Sequence, residues 1–120
     1  MPVARREVAE TIWRVTPNDV QRIPASVEGR LEDYEILNVA VTRRAIDESR
    51  SLITPWSAEH GWPEKIGQYF IVHRLRIHPD LAEGAESFRL SGWEIAVIVS
   101  ERVRRALLEQ DVTGVTFKEV

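Results

Sequence analysis

The three histidines of this 120-residue chain are the first candidates for metal binding or proton transfer. His73 and His78 stand five positions apart in a segment that alternates like a strand, so their side chains are expected to point to opposite faces. His60 belongs to a different segment, and no carboxylate stands at a spacing typical of a zinc ligand. The spacing therefore predicts no metal site, and it favours a hydrogen-bonded core position for His73.

Serine and carboxylate side chains offer another route to catalysis. Ser49 and Ser51 follow Asp47, but neither serine has the flanking glycines of a nucleophile elbow, and we interpret Asp47 as the cap of a turn that holds the Ser49 hydroxyl. The acidic runs 32–35 and 47–48 are expected at strand ends in contact with water, without the burial that a general acid needs. The chain also has no cysteine and no glycine-rich phosphate loop. We therefore predict no catalytic residue, no cofactor and no enzymatic activity.

Composition describes one small domain without a nucleic-acid or membrane signature. A length of 120 residues with 43% hydrophobic content suits a single domain over residues 1–120. The net charge of −3 gives no basic field for nucleic acid. No run approaches the 18 apolar residues of a membrane span, and no secretory segment opens the chain. We expect a cytoplasmic protein that binds neither nucleic acid nor membrane.

Hydrophobic periodicity switches between the helical and the strand pattern along the chain, which predicts an α+β fold. We expect a single antiparallel or mixed sheet of about five to six strands packed with two short helices. The helices are predicted over 4–15 and 101–110, and the strands near 20–28, 34–42, 68–77, 86–90, 93–99 and 115–119. Ser91-Gly92 is the predicted turn of a hairpin between the fourth and fifth of these strands. The predicted core residues are Val39, Ile71, Leu75, Val97, Leu107 and Phe117.

A loop with two tryptophans is the most distinctive candidate for binding. Trp56 and Trp62 stand in the proline- and glycine-containing segment 54–67, and they are either anchors for a partner or a lid folded over one end of the sheet. Acidic side chains elsewhere could complement a basic groove on a partner. The candidate partner-binding residues are Trp56, His60, Trp62, Glu32, Asp33, Glu35, Asp47 and Glu48.

Four short motifs occur in a fixed order. They are Tyr34-Glu-Ile-Leu-Asn-Val39, Ala45-Ile-Asp-Glu-Ser49, Phe88-Arg-Leu90 and a tail in which Ser100 can cap a helix that leads to Thr113-Gly-Val-Thr-Phe117. Together they resemble the immunity protein eleven family of bacterial polymorphic toxin systems, over about residues 16–120. The resemblance implies an α+β domain that binds and neutralises a cognate toxin in the cytoplasm of the producing cell.

The residues alone leave one alternative open, a small α+β ligand-binding protein or enzyme with a site near the Trp56–Trp62 loop. Members of the family usually carry a further N-terminal portion ahead of this block, and we expect a second copy of the chain to provide the missing cover. We therefore expect a homodimer. The long 68–77 strand is an unprotected edge that invites pairing, whereas Pro24 blunts the edge of the first strand.

Overall fold

The computed structural model describes residues 2–29 and 33–120, and its elements confirm an α+β fold. The helices are α1 (Arg6–Val15) and α2 (Glu101–Glu109), with short 3-10 turns at Ala58–His60, Pro63–Lys65 and Pro79–Ala82. The strands are β1 (Val3–Arg5), β2 (Val20–Ala25), β3 (Tyr34–Val39), β4 (Thr42–Arg43), β5 (Leu52–Pro55), β6 (Tyr69–His73), β7 (Ser87–Leu90) and β8 (Trp93–Val99). Neither helix among these residues is long and apolar enough to span a bilayer.

The strands of the described residues form three small sheets, so the expectation of a single sheet is wrong. The first sheet has the antiparallel order β1-β3-β2, the second has the order β4-β7-β8 with β4 parallel to β7, and the third pairs β5 with β6. The physical reason lies in the extended run 34–43. As β3 it pairs with β1 and β2, and beyond Ala40 it continues as β4 beside β7. One run of alternating residues therefore serves two sheets.

A polar bridge holds the first two sheets together. Asp19, in the turn before β2, accepts the backbone N–H of Ala40 with its carbonyl oxygen (2.9 Å). Its carboxylate accepts the backbone N–H groups of Glu86 (2.8 Å) and Ser87 (3.1 Å), where β7 begins. The buried hydroxyls of Thr16 and Ser87 lie 3.2 Å apart. These bonds join the end of α1 to the start of β7.

The two helices lie antiparallel beside one another. Ser100 caps α2 as predicted, because its Oγ accepts the backbone N–H three residues later (3.2 Å). Gln110, just after α2, donates its side-chain N–H to the carbonyl of Glu7 (3.2 Å). At the other end, Arg102 donates to the carbonyl of Val15 (3.0 Å). Both side chains therefore donate to carbonyl groups of α1, one in its first turn and one at its C-terminal end.

The buried core of the described residues includes two apolar clusters, beside Val103 and Leu107 of α2. One contains Ala45, Ile46, Ile77, Phe88, Leu90 and Ile98, and the other contains Ala9, Val20, Leu37 and Val39. The predicted burial of Val39 and Leu107 is confirmed, while Ile71, Leu75 and Phe117 are half-buried. The prediction for Val97 is wrong, since its side chain is 37% exposed. Because Ala96 and Ile98 face the core from β8, the residue between them points outward.

Several predicted boundaries also differ from the structure. Helix α1 begins at Arg6 because the preceding residues pair with β3 as β1. The strand expected over 68–77 ends at His73, where Arg74 takes a φ of +47° that breaks the extended backbone. His73 is exposed, so its predicted core position is wrong. The strand expected over 115–119 is absent from the described residues, and the short strand β5 was not predicted.

Candidate functional site

Residues 52–73 form a separate two-stranded ribbon, which we call the arm. Strands β5 and β6 pair antiparallel from Leu52 opposite His73 to Pro55 opposite Tyr69. None of the 22 residues of the arm is buried, and β5 and β6 make extensive contacts only with each other. An isolated pair of strands is marginally stable in water. The arm must therefore draw its order from contacts at its tip and at its base.

An aromatic cluster orders the tip of the arm. The ring of His60 stacks on that of Phe70 with centroids 4.0 Å apart. The indole of Trp56 meets both rings edge-on, at 4.7 Å from Phe70 and 5.3 Å from His60. His60 also closes the first 3-10 turn, because its Nδ1 accepts the backbone N–H of Ser57 (3.0 Å). The cluster ties the loop of the arm to β6.

A lysine lies between the two tryptophans of the tip. The Nζ of Lys65 is 4.9 Å from the ring centroid of Trp56 and 5.6 Å from that of Trp62, both within the range of a cation–π contact. The indole of Trp56 folds back onto the arm, whereas Trp62 remains 54% exposed. The two rings therefore do not form a lid over the end of a sheet. One supports the tip, and the other presents an aromatic face to solvent.

The arm is poor in charged residues and rich in aromatic ones. Only three of its 22 residues are charged, namely Glu59, Glu64 and Lys65. It carries four of the nine aromatic residues of the chain, and the exposed fractions of Leu52 and Ile66 are 55% and 56%. Depletion of charge together with enrichment of aromatic side chains distinguishes the cores of protein interfaces from the remaining surface.

At the base of the arm, an open cavity of about 670 Å³ is lined by polar side chains that include Asp47, Glu48, Tyr69 and His78. Asp47 accepts hydrogen bonds from the Ser49 hydroxyl (2.7 Å) and from the Ser49 backbone N–H (3.1 Å), and it pairs with the guanidinium of Arg50. The bond from Ser49, and then that from Arg50, hold the pKa of the Asp47 carboxyl well below its usual range. Asp47 is thus the turn cap that the sequence predicts, and it stays ionised.

Tyr69 fastens the arm to the second sheet. Its hydroxyl donates to Glu48 (2.5 Å), and its backbone N–H donates to the carbonyl of Gly92 in the β7–β8 turn (3.1 Å). Partial burial, reinforced by the bond to Glu48, raises the pKa of Tyr69 to about 12. Gly92 has a φ of +84°, and a Cβ built on it would lie 3.0 Å from the Tyr69 ring. The position therefore requires glycine for both its conformation and its space.

The predicted acidic residues of the first sheet are engaged within the chain. Glu35 is buried on β3 and accepts both Nε (2.7 Å) and Nη2 (2.9 Å) of Arg22 on β2, which lowers the pKa of the carboxyl. Asp33 is exposed and forms an ion pair with Arg6 (3.2 Å). Glu32 lies outside the described residues. Asp33 and Glu35 therefore lie at the first sheet and not on the arm.

The eight candidate residues do not form one site. Trp56, His60 and Trp62 lie at the tip of the arm, Asp47 and Glu48 at its base, and Asp33 and Glu35 on or beside β3. Sequence reasoning missed the exposed apolar residues Leu52, Ile66 and Phe70 of the arm. The scarcity of charge over 52–73 was the signal that could have identified them. Within the described residues, no group of three or more metal-ligating side chains is placed to hold a metal ion.

Comparison with known proteins gives one result. The model of the immunity protein family Imm11 matches residues 20–120, which run from β2 through the arm, its base and α2 to the last residue. Neither the curated proteins nor the solved structures include a significant match. Because the family model covers most of the chain, this protein belongs to the immunity protein family Imm11.

Proposed function

We propose that residues 1–120 form one immunity domain that binds and neutralises a cognate bacterial polymorphic toxin in the cytoplasm of the producing cell. Membership of the Imm11 family is the observation that carries this proposal. The exposed, charge-poor arm supports it, because an inhibitor of this kind needs a rigid scaffold and a complementary surface. Neutralisation is stoichiometric and needs no turnover.

We assign the main contact to the tip of the arm, where the face of Trp62 that is open to solvent is the anchor. A tryptophan side chain buries 150–250 Å², so covering its 54% exposed part removes about 100 Å² from water, worth about 2.5 kcal/mol. Trp56 and His60 support this anchor from within the aromatic cluster. The tip then occupies the active site or the substrate groove of the toxin.

The acidic candidates take different parts in this proposal. Glu48 and Asp33 are exposed, and we propose that they meet basic side chains of the toxin away from the tip, as we also propose for Glu32. Glu35 and Asp47 are buried and hydrogen-bonded within the chain, so we propose that they act by holding the scaffold. We further propose that the protein is a homodimer burying on the order of 1,200–2,000 Å² in total.

The test is capture of the product of the neighbouring toxin gene by the purified chain. Trp62→Ala is expected to weaken the complex tenfold or more, since a tenfold loss corresponds to 1.4 kcal/mol. Trp13→Ala is the matched control, because Trp13 on α1 is also exposed (41%) but lies outside the arm. The affinity of this variant for the toxin should stay within threefold of that of the original chain.

Protection of cells that express the toxin gives a second measurement in the same variants. Failure of the chain to bind that toxin or to protect against it would contradict the proposed function. Equal losses of toxin affinity in Trp62→Ala and Trp13→Ala would be consistent with the immunity function but would contradict the assignment of the contact to the arm. A turnover activity lost on replacing Asp47 or His60 would favour the enzyme alternative.

A further inference from the structure

Strand β8 forms an open edge of the second sheet. It is the last strand in the order β4-β7-β8, and no strand of residues 2–29 or 33–120 lies on its other side. With seven residues it is the longest strand among the described residues, and Glu94 is its one charged residue. A long, weakly charged edge presents backbone groups that readily pair with another strand.

The hydrogen bonds of β7 show which groups of β8 face outward. Arg89 donates its backbone N–H to the segment leading into β4 (2.8 Å), so the adjacent Phe88 directs its backbone groups toward β8. Phe88 stands opposite Ile98, which must therefore bond inward to β7. The neighbours of Ile98, Val97 and Val99, consequently turn their N–H and C=O groups to the open edge.

The side chains along this edge are also apolar. Ile95 is 78% exposed, the highest fraction among the exposed large hydrophobic residues of the described chain, and Val97 is 37% exposed. Trp93, Ala96 and Ile98 face the core from the same strand. A register shift between β7 and β8 displaces the residues from Glu94 to Ala96 outward, which carries Ile95 further into solvent. The edge therefore joins free backbone groups with an uncovered apolar side chain.

The chain as a whole exposes more surface than a compact monomer of its size. A 13.8 kDa monomer is expected to expose about 6,600 Å², whereas this chain exposes 8302 Å². Its radius of gyration is 15.9 Å, against about 14 Å for a compact domain of 120 residues. The excess of about 1,700 Å² exceeds the roughly 800 Å² that each partner buries in a standard interface. It is sufficient for a dimer interface beside a separate toxin contact on the arm.

We infer that a second copy of this chain pairs antiparallel along β8 across a two-fold axis at Val97. Val97 of each copy exchanges backbone hydrogen bonds with Val97 of the other, and Ile95 of each copy lies opposite Val99 of the other, which covers it. Identical antiparallel edges are complementary by symmetry. The two copies of the second sheet then form one continuous sheet of six strands. The dimer edge is therefore β8 and not the 68–77 strand suggested by the sequence, which ends at His73. This inference rests on the homodimer proposed above and leaves the arm free for the toxin.

Sedimentation of the full chain at micromolar concentration tests the pairing, with two variants of matched design. Ile95→Lys places a charge in the interface and is expected to raise the dimer dissociation constant tenfold or more. Leu108→Lys is the control, since Leu108 is 54% exposed on α2 and its variant should sediment as the original chain does. Retained secondary structure by circular dichroism checks that both variants fold.

Amide hydrogen exchange in the unmodified chain gives a measurement that needs no variant. The amides of Val97 and Val99 are expected to exchange more slowly at high protein concentration than at low concentration, while that of Ile98 changes little. A monomer at micromolar concentration would overturn both the dimer and this surface. A dimer that Ile95→Lys leaves intact, or one whose Val97 and Val99 amides exchange at the same rate at all concentrations, would overturn the surface alone. Toxin capture is measured separately, so either failure leaves the immunity proposal open to its own test.

Discussion

Leu107 and Leu108 are adjacent on α2 and lie in opposite environments, which makes them a matched pair for testing the packing of this helix. Leu107 is 3% exposed, and Leu108 is 54% exposed. Replacing leucine by alanine removes the same three carbon atoms at both positions and keeps a good helix former. Any difference between the two variants therefore reports burial.

The expected loss for Leu107→Ala follows from this burial. Three carbon atoms at about 0.8 kcal/mol each give about 2.4 kcal/mol for transfer, and the cavity left behind brings the total to about 2–5 kcal/mol. The entropy of unfolding of a chain of 120 residues is about 0.25 kcal/mol/K, so a loss of 3 kcal/mol lowers the melting temperature by about 12 °C. Leu108→Ala should change the free energy of unfolding by about 0.5 kcal/mol or less.

Urea unfolding followed by circular dichroism measures both values. All samples need the same protein concentration, because self-association would make the apparent stability depend on it. A loss below about 1 kcal/mol for Leu107→Ala, or equal losses for both variants, would refute the assignment of the buried face of α2.

Acid unfolding tests the turn at the base of the arm: the pKa of Asp47 lies below its ordinary value of 3.8, so the unfolded chain binds this proton more readily than the folded one. The ionised carboxylate therefore stabilises the fold fully above about pH 5, and this stabilisation is lost as the pH falls through 3.8 and below. Below pH 5, the urea midpoint of the original chain should decline more steeply than that of Asp47→Asn. If the urea midpoints of the two proteins declined with the same slope, the assignment of this stabilisation to the Asp47 carboxylate would be wrong. Gly92→Ala should reduce the free energy of unfolding by more than Gly114→Ala, because both positions have positive φ but only Gly92 lies against the Tyr69 ring. Equal losses of stability in the two variants would mean that the Tyr69 ring moves away from the added methyl group without cost.

Local interactions were the part of the structure that the sequence predicted well. The Ser100 cap, the Ser91-Gly92 turn and the bonds between Asp47 and Ser49 each join groups no more than three residues apart. Their geometry depends on residue types within one turn of the chain, so spacing alone predicts them. The order of the motifs likewise indicated the family that the comparison then showed.

Pairing between distant segments was predicted less well. The alternation over 115–119 suits a strand, but a strand needs a partner, and none stands beside it in the described residues. The run 34–43 pairs with β2 as β3 and with β7 as β4. The alternation of apolar and polar residues shows that a segment is a strand but not which strand pairs with it. At the candidate site, Trp56 and Trp62 were identified from residue type, whereas the exposure of Phe70 depends on the absence of a covering element over the arm.

The absence of buried residues in the arm has a consequence for how this protein can change over evolutionary time. Substitutions on exposed side chains usually alter stability by no more than about 0.5 kcal/mol, whereas changes in a core often cost several times that amount. The two apolar clusters contain no buried residue from the arm, so its exposed side chains can be replaced while the fold persists. On the proposed assignment of the toxin contact to the arm, a lineage of such proteins is then free to follow a changing toxin without first acquiring a reserve of stability.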